Sequence, residues 1–295
     1  IRLCNLKNLR IIRPGFCSPQ RYVKAADVVL REVDFTGSDA IEKIEERFGE
    51  DCATLETVTF GQLEKLISIG DKFLVCSNIG TLDLTTATNL QHIGTAFAST
   101  CCSLSSVQLP KALDGVVKVP DQFCCQTEAL LGMDVSGMTS VEDIGHTFVL
   151  KSGIRFLRLP ARMPLRTIGS WFAGNCEHLT SIDLSGAAET LSSVGHCFAS
   201  GCTSLTSITF GVMPLITRLE TGFLCATAIA TFSFADFPNL QIVDSEILYD
   251  CPQLTDVHFG PLTHIEEVGD LFMAGSTPFA KCSEPEASQR LRVAA

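Results

Sequence analysis

Apolar positions in this chain follow a repeating text of about 25 residues. A phenylalanine anchors each copy. Phe48, Phe73, Phe97, Phe123, Phe148, Phe172, Phe198, Phe223 and Phe272 recur at intervals of 24 to 26 residues, with Ile247 filling the one double gap. Four residues before the anchor the side chain is always aliphatic, as at Ile44, Ile69, Ile93, Ile168 and Val243. Seven residues before, it is aliphatic again, as at Ile41, Leu66, Leu90, Leu165 and Leu240. Spacings of three and four place these residues and the ring on one face of a short helix. Three residues before the anchor stand Gly70, Gly94, Gly145, Gly169, Gly195 and Gly269, where the chain turns tightly or neighbouring backbones approach.

Six or seven residues after the anchor the period changes to two. Leu55-x-x-Val58-x-Phe60, Leu179-x-x-Ile182-x-Leu184 and Leu254-x-x-Val257-x-Phe259 read as short strands, ended by Gly61, Gly186 and Gly260. Earlier strand texts stand at Leu30-x-x-Val33-x-Phe35 and at Leu6-x-x-Leu9-x-Ile11. A fixed period of this size predicts a solenoid, in which no single unit buries enough apolar surface to stand alone.

One full copy reads Leu191-x-x-Val194-x-x-x-Phe198-x-x-x-Cys202-x-x-Leu205-x-x-Ile208-x-Phe210. It resembles the BspA-like class of leucine-rich repeats, over about residues 28–282. The resemblance implies an α/β repeat fold of about ten coils of 24–26 residues. A parallel sheet would line the concave side and short helices the other. Residues 1–27 are expected to be a degenerate N-terminal unit or cap, and residues 283–295 a flexible tail. The class is known from bacterial and protozoan surface proteins, chiefly in adhesion and protein binding, which implies a cell-surface or secreted location. The absence of an Asn-x-Ser/Thr sequon and the many cysteines leave an intracellular one open. The first residue, Ile1, is read as the start of a mature product, a fragment or an expressed piece.

The net charge of −11 argues against nucleic acid as a partner, whose binders carry a basic face. It also argues against anionic membrane surfaces. No apolar run reaches the length of a transmembrane helix. The fourteen cysteines need a separate reading. Cys52, Cys101, Cys176, Cys202 and Cys251 all lie four residues after an anchor, which fits small buried hydrophobes. A disulfide between Cys176 and Cys202, or between Cys4 and Cys17, is sterically open. There is no Cys-x-x-Cys pair, so no metal site is expected.

No nucleophile motif, metalloprotease motif or phosphate loop occurs. His196 and Cys197 are adjacent, but neighbours on a helix diverge by about 100°, which suits proton transfer poorly. The expectation is therefore a non-enzymatic chain with no catalytic residue and no cofactor. It would bind a protein partner through the concave sheet. An architectural subunit that binds through its ends and helix side, with end-to-end self-association, is the alternative.

Outward positions of the strands read Asp34, Thr59, Asp83, Gln108, Asp134, Arg158, Asp183, Thr209, Ser233 and His258. The exception to this small polar column is the unit holding Ile154-Arg155-Phe156-Leu157-Arg158. Phe156 is expected to be exposed in mid-sheet between Arg155 and Arg158, an arrangement typical of interface anchors. The competing reading has Arg158 bridging Asp134 and Asp183 while Phe156 fills space over Gly132. The only tryptophan, Trp171, precedes its anchor in a mostly solvent-facing column and is a second candidate contact, on the helix side.

Overall fold

The computed structural model describes residues 1–19 and 29–276. The expected tail from 283 lies outside the described residues, as do residues 20–27 of the expected N-terminal unit and residues 28 and 277–282 of the expected repeat region. The chain is a parallel-strand solenoid of about nine turns. Its contacts divide it into two units, Ile1–Ile154 and one that begins at Arg155.

Each unit carries two kinds of parallel ladder. The first ladder is built from the period-two text. In the first unit Glu32–Phe35 pairs with Thr57–Phe60, and Thr81–Asp83 pairs with Ser106–Gln108. In the second, Phe156–Arg158, Ser181–Asp183 and Ser207–Thr209 pair in sequence, and Thr231–Ser233 pairs with Asp256–His258. Equivalent residues sit opposite one another, so Leu157 faces Ile182 and Ile182 faces Ile208. That register follows from the pattern, because a slip by one residue would turn the apolar set to water.

The count of ten coils is corrected to about nine. The stretch 131–135 forms no strand, and Gly132 within it gives a strand neither a side chain to pack nor a restricted backbone.

The expected helices are also corrected. No α-helix occurs among the described residues; the helical elements are two short 3-10 turns, Ser185–Ala187 and Phe234–Asp236. The aliphatic position four before the anchor instead closes a two-residue strand. These strands form the second ladder. In the first unit it runs through Ile11–Ile12, Lys43–Ile44, Ser68–Ile69 and His92–Ile93, and Lys118–Val119 pairs with Asp143–Ile144. In the second unit Thr167–Ile168 pairs with Ser193–Val194, and Arg218–Leu219, Ile242–Val243 and Glu267–Val268 follow in order.

The physical reason lies around the anchor. Lys72, Leu74 and Cys76 have φ of 58°, 60° and 55°, and Gln122, Cys124 and Gln126 have φ of 60°, 49° and 57°. Left-handed residues at every second position cannot continue a right-handed helix. Their backbone bonds run between coils instead. Lys72 N donates to Thr95 O at 2.7 Å, and Ala98 N donates to Phe73 O at 2.8 Å. The three-and-four spacing arises because the chain rounds a corner and keeps one side inward, and this mimics a helical face.

The anchors form the core. In the first unit Phe48, Phe73, Phe97, Phe123 and Phe148 stack at centroid separations of 5.3, 5.4, 4.8 and 5.5 Å. In the second, Phe172, Phe198 and Phe223 stack at 5.2 and 5.5 Å. All are buried. Offset stacks of this kind add roughly 0.5–1.5 kcal/mol per pair to area burial. Phe16 joins the row against Phe48 at 5.8 Å, although it precedes Phe48 by 32 residues and falls outside the period. The early strand text at Leu6 to Ile11 is shifted accordingly. Ile11 belongs to the second ladder, and Arg2 makes the bridge to Asp34 on the first.

The glycines three before the anchor are sites of close backbone approach. A Cβ on Gly94 would lie 2.3 Å from Asp71 N, and one on Gly269 would lie 2.4 Å from Ser245 N.

A candidate binding face

The strand Phe156–Arg158 presents Phe156 and Arg158 outward and Leu157 inward. Leu159 and Ile154 are buried on either side of it, which fixes this orientation. Phe156 is 59% exposed, an aromatic ring on a face otherwise made of Ser181, Asp183, Ser207 and Thr209. Arg155 is exposed too, and its carbonyl accepts Thr180 N and Oγ1 from the next coil, each at 2.8 Å. The backbone under the patch is therefore held on both sides of the ring.

Arg158 Nε lies 3.4 Å from Asp183 Oδ2, with the arginine side chain 78% exposed. A pair this open is worth about 0–1 kcal/mol. Asp183 already has a partner: its Oδ1 accepts Ser185 N at 3.0 Å and Ser185 Oγ at 2.6 Å. The same closure recurs along the column. Asp34 takes Thr36, Asp83 takes Thr85 and Asp134 takes Ser136, each through the backbone N–H at 2.9 Å. These carboxylates stop the strand by a local turn. The Thr36 bonds pull the Asp34 carboxyl down to about 2, and the Ser136 bonds lower that of Asp134. The Asp-x-Ser/Thr text was present in the sequence, and the turn it makes was the signal missed there.

The structure thus brings Arg155, Phe156, Arg158 and Asp183 together on paired strands. Asp134 lies in the first unit. Trp171 is half-buried, in a turn rather than on a helix; its φ is 57° and its N–H donates to His196 O at 2.9 Å.

The cysteines have a second role beside filling space. Cys101 Sγ donates to Leu74 O at 2.9 Å, Cys202 Sγ to Ala173 O at 2.9 Å, and Cys251 Sγ to Leu224 O at 3.2 Å. Each target is the residue directly after the anchor position in the preceding coil. Where the column lacks cysteine it holds Ser77, Thr127, Ser152, Thr227 or Ser276. Thr127 Oγ1 donates to Cys124 O at 2.7 Å and Thr227 Oγ1 to Leu224 O at 3.0 Å. The position therefore takes a short side chain that carries a donor. All thirteen cysteines among the described residues are thiols outside any disulfide, Cys4, Cys17, Cys176 and Cys202 included.

Burial pushes the Cys101 thiol up to about 11 and that of Cys17 to about 12. Hydrogen bonding to Cys176, with burial, raises Cys202 further. Cys197 is also raised, mainly by burial, and its neighbour His196 turns Nδ1 to Ser170 Oγ at 3.0 Å. Thiols held protonated in this way are poor nucleophiles. No group of three or more His, Cys, Asp or Glu arranged to hold a metal occurs among the described residues. None of their helices is long and apolar enough to cross a membrane.

The model of the BspA type leucine-rich repeat region matches residues 30–134 and 142–273. None of the curated proteins matches the sequence. Among solved structures, a leucine-rich repeat protein from Bacteroides ovatus is similar at 13% identity and a TM-score of 0.48, covering 90% of this chain and 76% of that one. Another from Eubacterium ventriosum shares 11% identity at a TM-score of 0.40, covering 94% and 90%. A leucine-rich cell surface protein from Faecalibacterium prausnitzii shares 14% identity at a TM-score of 0.30, covering 85% and 87%. The family match spans both units and the phenylalanine-anchored text on which each is built, and the chain belongs to the BspA-type leucine-rich repeat family.

Proposed function

We propose that this chain is a non-enzymatic protein-binding module that takes its partner on the outward face of the strands at 156–158, 181–183 and 207–209. Repeats of this family typically mediate protein binding and adhesion. The observation that carries the reading is Phe156. It is a large ring, 59% exposed, on a backbone tied to the neighbouring strand through Phe156–Ser181 and Arg158–Asp183 pairing. A rigid, exposed aromatic flanked by arginine has the composition of a binding hot spot.

Phe156→Ala tests it. In the unbound chain the ring already faces water, so thermal stability should stay within about 0.5 kcal/mol of wild type. Recovery of partner from an extract of the native source should fall by about tenfold or more, the equivalent of about 1.4 kcal/mol. Equal recovery of the same partners by both chains would refute the assignment of this face.

A further inference from the structure

Between Asp143 and Glu177 the sequence holds no acidic residue, although the protein as a whole has a net charge of −11. The same stretch contains Arg155, Arg158 and Arg162. Elsewhere arginines are paired across coils: Arg10 with Glu42, Arg13 with Glu45, Arg31 with Glu56, and Arg218 with Asp244. Arg155 and Arg162 make no ion pair among the described residues. Arg158 meets Asp183 at a nearest distance of 3.4 Å, as an exposed pair. The exposed ring of Phe156 stands between Arg155 and Arg158 in the chain, so the one large apolar side chain of this face is framed by cations.

We propose that this face takes an acidic segment of a partner protein. An apolar side chain of that segment would lie on the Phe156 ring, and carboxylates on either side of it would pair with Arg155 and Arg158. The proposal rests on the reading of the strand face as the binding surface and adds the chemistry of the partner. Three arguments favour it. Alternate residues on a strand stand about 6.5–7 Å apart, so an extended peptide presents an apolar group and an acid at the spacing of Phe156 and Arg158. A guanidinium fork matches a carboxylate in plane and in its donors. The surrounding excess of negative charge repels a long polyanion, whereas within a Debye length of about 8 Å the arginines govern. A short acidic segment suits that balance better than nucleic acid, and better than a second copy of this acidic chain.

The test is selection of a random-peptide display library on the immobilised full chain, followed by titration of the enriched peptides. The expected peptides carry Asp or Glu on both sides of an aromatic or aliphatic residue, and bind more weakly as salt rises. Arg155→Glu breaks no ion pair and should weaken them by about tenfold or more; Phe156→Ser should do the same. Enriched peptides that are neutral or basic yet depend on Phe156 would overturn the acidic partner and leave the binding face standing. Peptides that bind Phe156→Ser as tightly as wild type, or a library that yields none above the Phe156→Ser background, would overturn both. Short single-stranded DNA that displaces the peptides with comparable affinity would assign the face to nucleic acid instead. A concentration-dependent dimer that Arg155→Glu dissolves would assign it to a second copy.

Discussion

Cys202 offers a choice between two physical accounts of the cysteine column. As a small buried hydrophobe it should tolerate valine. As a donor it should not. Its Sγ lies 2.9 Å from Ala173 O, and both residues are fully buried. Cys202→Val adds apolar volume worth about 0.8 kcal/mol per methylene, but it removes the thiol donor from a buried carbonyl, at about 1–3 kcal/mol. The net expectation is a loss of about 1–2 kcal/mol. Cys202→Ser keeps a donor at the same place and gives up only the larger, more apolar sulfur, for about 1 kcal/mol or less. The predicted order of stability is wild type, then serine, then valine. Urea midpoints read by circular dichroism under reducing conditions give this order directly. A valine variant as stable as the serine variant would show that burial alone selects the column.

The close approach at Gly94 predicts that Gly94→Ala costs about 3 kcal/mol, the upper range for overpacking because the obstructing atoms are backbone. Gly80, where an added Cβ meets nothing within 4 Å, should accept alanine without loss, and similar urea midpoints for both variants would contradict the packing described. Gln122 is exposed at φ 60°, so Gln122→Gly should leave stability unchanged or raise it by up to about 1 kcal/mol; a loss of about 1 kcal/mol is what a helix would give. The Cys101 thiol is raised from 9.0 to about 11, so between those values the unfolded chain binds fewer protons than the folded one, and stability should fall as pH rises through this window. A midpoint that stays level from pH 8 to about 11 would refute the burial of the thiols.

Much of the solenoid was legible in the sequence because its inward positions repeat. The Phe row, the register of the first ladder and the close approach at Gly70, Gly94 and Gly269 all follow from side-chain type at fixed spacing. The helices were misread because a corner that keeps Ile41, Ile44 and Phe48 inward has the same three-and-four spacing as a helix. The residues that betray the corner, Lys72, Leu74 and Cys76, are ordinary in type, and only their φ marks them. Phe16 was hidden by its 32-residue distance from Phe48. The donor role of the Cys column is legible in the residue types, since only cysteine, serine and threonine occur there, as at Cys52, Ser77, Cys101 and Thr127. At the candidate face, alternation around Leu157 pointed to the exposure of Phe156 and Arg158. The local turns of the aspartates were not anticipated, and they leave Asp183 with less to offer a partner than the column of charges implied.

The central claim is that the outward face at Phe156 is where a partner protein rests. Its most direct test places a photo-reactive phenylalanine derivative at position 156 of the full chain, with Ser193 on the second ladder as the control position. In an extract of the native source, position 156 should form adducts that unlabelled wild type suppresses and Phe156→Ser does not, while position 193 forms none. Adducts of equal yield at both positions, or adducts that Phe156→Ser suppresses as well as wild type does, would contradict the account.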